Sequence, residues 1–251
     1  MRILPLIVAM GSLFSGAAYA NSIGIASAAS YIHGGGALIT QLDTNSANYF
    51  STLNANNLGT FGWSYTNSTG STIANFTMFG FLDADIDSSI NTFFNEYGNF
   101  IDLSLPPGAP GGSIAASSWQ IDEPGFVFGT IINDLIAGSL RNENFVPSTA
   151  PDDVSTALGF VVGDLAPGQT ATLTLQISTS NIGGLQQVDP DSNFGFYFNG
   201  YATTAPPPVS GVPEPDTWVL WLTGVGFCWL LLASPDAHLG PNRLIKKGNH
   251  S

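Results

Sequence analysis

Carboxylates are the side chains of this chain most able to do chemistry. Asp83-Ala84-Asp85-Ile86-Asp87 places three of them at alternate positions. An EF-hand calcium loop begins this way, with oxygens at its first, third and fifth positions. The run then departs from that pattern, because Ser88 stands where the tight turn needs Gly and Phe94 where the bidentate Glu belongs. On a strand end the same spacing would put Asp83, Asp85 and Asp87 on one face, repelling one another unless a cation or solvent intervenes. Asp122-Glu123, Asp152-Asp153 and Asp189-Pro190-Asp191 are further clusters of hard oxygen donors. The expectation is a domain with no obligatory cofactor, calcium at Asp83, Asp85 and Asp87 being the alternative.

Other chemistry has little to draw on. His33 is the only histidine between Asn21 and Gly211, and Cys228, the single cysteine, lies in an apolar stretch further on. A nucleophilic triad or a transition-metal site needs more of these groups than that. Hydrolysis of a glycosidic bond needs two carboxylates at a set separation, and nothing in the spacing picks out a pair, so the expectation is a non-enzyme. Asp122 is the acid to neutralise as a test of the hydrolase alternative. Sugar binding would use exposed aromatic rings flanked by amides and acids. Trp63, Tyr65, Trp119, Tyr197 and Tyr201 lie in such company, and Trp119, within Ser117-Ser118-Trp119-Gln120, has the most polar neighbours. For most of these rings a place in the core is the expectation.

Charge excludes further partners. Fifteen of the eighteen acidic residues lie between Asn21 and Gly211, against Arg141 alone of the five basic ones. Such a domain repels nucleic acid, whose binding rests on Lys and Arg neutralising phosphates. It also lacks the cations for a phosphate clamp or an ion-pair network. Without a disulfide, its stability must come from packing and backbone hydrogen bonds.

The elements that must position these groups read as strands. Residues 58–65, 72–82, 154–165, 170–179 and 194–202 are short apolar or aromatic runs separated by Asn, Ser, Thr and Gly. Ala171, Leu173, Leu175 and Ile177 alternate with Thr172, Thr174, Gln176 and Ser178, a period of two with one wet face. Ala166-Pro167-Gly168-Gln169 joins that run to the one before it as a type II turn, Pro setting φ and Gly accepting a positive one. Hairpins of this kind predict an antiparallel β-sandwich. Two segments have helical spacing instead: residues 88–97, with Ile90, Phe93, Phe94 and Tyr97, and residues 131–140, with Ile131, Ile132, Leu135, Ile136 and Leu140. Both are expected as short helices covering an end of the sandwich, the second ended by Gly138 or by the polar run from Arg141.

The ends of the chain read differently. Met1-Arg2, the apolar residues 3–14 and Ala18-Tyr19-Ala20 follow the order of a secretory signal peptide, residues 1–20. Residues 21–202 are then the acidic ectodomain, and residues 203–211, with Pro206-Pro207-Pro208, an extended linker. Val212-Pro213-Glu214-Pro215 precedes an uncharged stretch, residues 217–233, and the basic Arg243, Lys246 and Lys247. As a helix that stretch spans roughly 25 Å, enough for a slightly thinned bilayer. The basic residues place the tail in the cytoplasm and the ectodomain outside.

This order resembles the PEP-CTERM sorting signal of Gram-negative bacteria, over about the last forty residues. Val212, Pro213, Glu214 and Pro215 match its box, and Thr217-Trp218 fits the start of its helix. One departure is that Ser234 to Asn242, with the acidic Asp236, separates the helix from Arg243. Asp122-Glu123-Pro124-Gly125-Phe126-Val127-Phe128-Gly129 and Pro151 to Phe160 also resemble segments of exported domains in such proteins. The resemblance implies the secretory translocase and a membrane-embedded exosortase as partners, and transient inner-membrane anchoring. It also implies cleavage near the box and delivery to the cell surface or an exopolysaccharide-rich, biofilm-like matrix. The expected role is that of a structural matrix protein. The competing expectation is a calcium-dependent or carbohydrate-binding adhesin, and a glycan hydrolase is the remote one.

Overall fold

A computed structural model describes residues 22–87 and 92–207. The signal peptide, the sorting box with its apolar stretch and the basic tail lie outside them. The described residues belong to the first of two units, which ends at Pro208. They form twelve strands and one short α-helix, so the mainly β expectation holds. No helix among the described residues is long and apolar enough to cross a membrane.

The strands make two six-stranded sheets. In the first, the spatial order is β2 (Ala37–Asp43), β1 (Ile23–Gly34), β5 (Ile73–Ile86), β9 (Ser155–Leu165), β7 (Ser118–Asp122) and β8 (Glu143–Asn144). In the second it is β3 (Tyr49–Ser51), β4 (Gly59–Thr66), β10 (Thr170–Ser178), β12 (Phe194–Ala205), β11 (Gly184–Asp189) and β6 (Tyr97–Asp102). Every pairing is antiparallel except β7 with β8. β12 runs to Ala205, three residues into the segment read from sequence as linker.

The core lies between the sheets. Leu82, Ala84 and Ile86 of β5 meet Leu173, Leu175 and Ile177 of β10, with Phe61, Trp63, Phe160 and Phe198 filling the space around them. Each of the large side chains among them is almost wholly shielded and contributes about 1.5–3 kcal/mol by leaving water. Along β10 the burial alternates strictly, with Ala171, Leu173, Leu175 and Ile177 inside. That is the period-two reading as expected.

The turn before β10 forms as read, with Gly168 at φ 75° and the Gln169 N–H bonded to the Ala166 carbonyl. It does not close a hairpin, however. β9 pairs with β5 and β7, whereas β10 pairs with β4 and β12 in the other sheet. The turn is therefore an arch from one sheet to the next. The period-two pattern fixes which face is apolar but not which strand is the neighbour.

The first sheet is covered on both faces. The outer side chains Phe79 and Phe81 of β5, Ala29 and Tyr31 of β1 and Ala157 of β9 pack under α1 (Ile131–Ala137) through Ile131 and Leu135. The helix thus lies on a sheet face rather than at an end. It stops where Gly138 takes a left-handed φ of 74° and returns its N–H to the carbonyls of Asp134 and Leu135. The helix expected over residues 88–97 is not present in its described part. Phe93–Asn95 is a single 3-10 turn capped by Thr92, and Tyr97 already opens β6. Phe94, one of its expected apolar-face residues, is 57% exposed and contributes little of the burial that would hold a helix there.

Candidate functional site

Alternation along β5 sends Asp83 and Asp85 to the same outer face as Phe79 and Phe81. They lie just past the ground that α1 covers. The β5–β9 ladder ends with Asp83 opposite Ser155. Carried two residues further, that register sets Asp153 opposite Asp85. Carboxylate oxygens of Asp83, Asp85 and Asp153 lie within 4.8 Å of one another. Two full charges at about that distance repel by roughly 3–4 kcal/mol at an effective dielectric near 20.

The environment answers by favouring the neutral acids. Burial, then the charges of Asp153 and Asp85, push the Asp83 carboxyl up to about 7. Burial and the neighbouring carboxylates of Asp85, Asp152 and Glu123 push Asp153 up to about 6, against a hydrogen bond from the Val154 N–H. Burial also raises Asp85. Glu123 is raised by burial and by Asp152 and Asp122. Asp83 is 4% exposed, and no hydrogen-bond donor reaches its carboxylate among the described residues.

Asp87 does not join this group. β5 ends at Ile86, and Asp87 takes a φ of 52° that turns the chain away. Its Oδ1 accepts from the Ser22 N–H at 2.6 Å and from the Ser22 hydroxyl at 3.3 Å, tying the start of the domain to the end of β5. The expected trio of Asp83, Asp85 and Asp87 is thus replaced by Asp83, Asp85 and Asp153, since the strand stops one residue too early for the third carboxylate.

A second buried acid lies close by. Glu96 forms a β-bridge with Asp152 and accepts from the Ile86 N–H at 2.7 Å and from the Gln187 amide, which also reaches the Ala84 carbonyl. Burial dominates, and Glu96 is pushed up to about 8 although both hydrogen bonds oppose the shift. Nothing in the sequence around Glu96 marks it as an interior residue.

Asp122 is fully engaged in holding the helix start. It accepts from the N–H and hydroxyl of Thr130, from the Glu123 N–H and from the Gln120 amide. Burial works against ionisation of Asp134, but hydrogen bonds from Gln120, Thr130 and Arg141 outweigh it and hold that carboxyl below the usual range. His33 is buried, packs edge-on to Phe79 and hydrogen-bonds through Nε2 to the Leu135 carbonyl at 2.8 Å. It is a ring built into the seat of α1.

Beside the acidic trio opens a cleft of about 280 Å³ lined by Phe94, Glu123, Pro124, Phe126, Val127, Phe128 and Asp153. Phe126, Val127 and Phe128 are between 66 and 82% exposed, a run of apolar side chains held at the surface by the loop between β7 and α1. Asp153 belongs both to this cleft and to the trio. Of the aromatics named from sequence, Trp63 is buried and donates its indole N–H to the Asp43 carbonyl, and Tyr65 packs on Phe76. Trp119 is half-buried, with one ring face stacked on Phe100 of β6 at 4.4 Å. That contact joins the two sheets and occupies a face a sugar would use.

These features define a mainly β, two-sheet protein with a partly buried acidic cluster beside an apolar-rimmed cleft. Compared with known proteins, the chain matches no family model, no curated protein and no solved structure.

Proposed function

We infer that this chain is an exported cell-surface or extracellular-matrix protein whose acidic β-sandwich serves a structural, non-enzymatic role in an exopolysaccharide-rich matrix. The observation that carries this reading is the order Val212-Pro213-Glu214-Pro215, uncharged residues 217–233, then Arg243, Lys246 and Lys247. It resembles a signal read by exosortases, and the signal-peptide pattern of residues 1–20 agrees with it. An Asn-, Ser- and Thr-rich pair of sheets with a net negative charge suits a hydrated, soluble module.

The test is the intact mass and C-terminal residue of the protein from its native host, in membrane and released fractions. A released form ending within residues 212–215 is expected, with any excess mass marking attached glycan. A full-length C-terminus confined to the membrane would overturn sorting and leave a permanent anchor.

The cleft favours a second reading, a carbohydrate-binding adhesin. Exposed Phe94, Phe126 and Phe128 beside Glu123 and Asp153 combine apolar faces with hydrogen-bond acceptors, the chemistry a sugar ring needs. Retention on polysaccharide that survives Trp119→Ala but is lost with Phe126→Ala would favour it over the matrix role. Glycan cleavage lost on neutralising Asp153 would point to the hydrolase alternative instead.

A further inference from the structure

The geometry points to a binding site for one divalent cation of the calcium class, held by Asp83, Asp85 and Asp153 on the outer face of the first sheet. It depends on neither functional reading, since a matrix module and an adhesin could both carry it. Three carboxylate oxygens within 4.8 Å of one another can all reach an ion at about 2.3–2.6 Å. An acidic cluster alone would not carry the inference. What does is the state of Asp83, which is 4% exposed, is aimed at the other two carboxylates and has no hydrogen-bond donor among the described residues.

Buried carboxylates normally find a donor or a cation. This domain has no cation to offer: Arg141, its only basic side chain apart from histidine, is paired with Asp134 at 2.9 Å. His33 is committed to the Leu135 carbonyl. The donor set is oxygen only, which selects a hard ion and excludes the thiolate- and imidazole-seeking metals. Calcium fits better than magnesium, because magnesium at about 2.0–2.1 Å demands a tighter, octahedral set. Because Asp153 also lines the cleft, the ion would fix the cleft wall to the end of β5.

The experiment uses the full chain in detergent, stripped with EDTA and titrated with calcium chloride alone by calorimetry, alongside thermal melts. One saturable calcium per chain is expected, with a higher Tm in its presence. Asp83→Asn and Asp153→Asn should each weaken binding about tenfold or more. Asp164→Asn, at the far end of β9, should leave it unchanged. Asp83→Asn should also melt no lower than wild type without calcium, since it removes a repulsion. Should Asp83→Asn fail to fold, the half-buried Asp153→Asn decides the matter. Absence of saturable binding in the wild type, or wild-type affinity in the aspartate-to-asparagine pair, would overturn the site.

Discussion

Replacing Glu96 with glutamine tests how the interior of this domain handles an acid. Glu96 is 1% exposed and its carboxyl is pushed up to about 8, from an ordinary value of 4.5 in the unfolded chain. Below pH 4.5 both states hold the proton and the group contributes no pH dependence. Between 4.5 and 8 the unfolded chain releases its proton while the folded one keeps it, so stability falls as pH rises. Each pH unit in that window removes about 1.4 kcal/mol, which comes to about 3 kcal/mol by pH 7 and about 4 by pH 8. In Glu96→Gln the new side-chain carbonyl would still accept from the Ile86 N–H. The new amide donor can meet the Gln187 carbonyl oxygen, which is buried and has no partner, once the Gln187 amide rotates. Rotation gives up the bond from Gln187 to the Ala84 carbonyl and leaves that buried acceptor unsatisfied, a loss of about 1–3 kcal/mol. The variant should therefore be less stable than wild type near pH 4.5 and more stable at pH 8. The two curves should cross between roughly pH 5 and 7. Urea denaturation in EDTA, followed by tryptophan fluorescence across that range, measures the difference. Asp83 and Asp153 titrate in both proteins and largely cancel from it. Parallel curves from pH 5 to 8 would refute the argument, for Glu96 would then ionise in the folded state as easily as in the unfolded.

Two further outcomes follow from the packing. Leu175→Ala removes a wholly buried side chain from the centre of the inter-sheet core and should cost about 2–5 kcal/mol in denaturant unfolding; a loss under about 1 kcal/mol would mean the sheets are not packed there as described. Arg141→Ala breaks a pair with Asp134 in which the arginine is 46% exposed, and a cation–π contact with Phe145 at 5.6 Å. The loss should stay near or below about 1 kcal/mol and shrink in high salt.

Several features were legible from composition and period alone. The alternation from Ala171 to Ile177 determines one wet and one dry face, because successive side chains on a strand point oppositely whatever the fold. Pro167-Gly168 determines a turn, and Gly138 ends α1, because only backbone dihedrals are involved. The excess of acids over a single arginine between Asn21 and Gly211 is likewise fixed by composition, and from it comes the expectation that the domain repels nucleic acid. The strand neighbours were not legible. The arch after β9 has the same local chemistry as a hairpin, and only packing of the two apolar faces decides that β10 crosses to the other sheet. The burial of both faces of β5 from Met78 to Leu82 depends on α1 lying over Phe79 and Phe81, which no local period announces.

The acidic site shows the same division most clearly. Asp83 and Asp85 share a face because they are two residues apart on a strand, a local fact. Whether a third carboxylate completes the group was decided by where β5 stops and how β9 registers against it. A backbone turn at Asp87 sends that side chain to Ser22, and pairing between strands far apart in the chain brings Asp153 into its place. Spacing along the chain determined which residues carry charge and which way each strand faces. Proximity across strands, with the burial and raised proton affinity that come with it, was decided only in the tertiary structure, because desolvation and repulsion depend on neighbours in space.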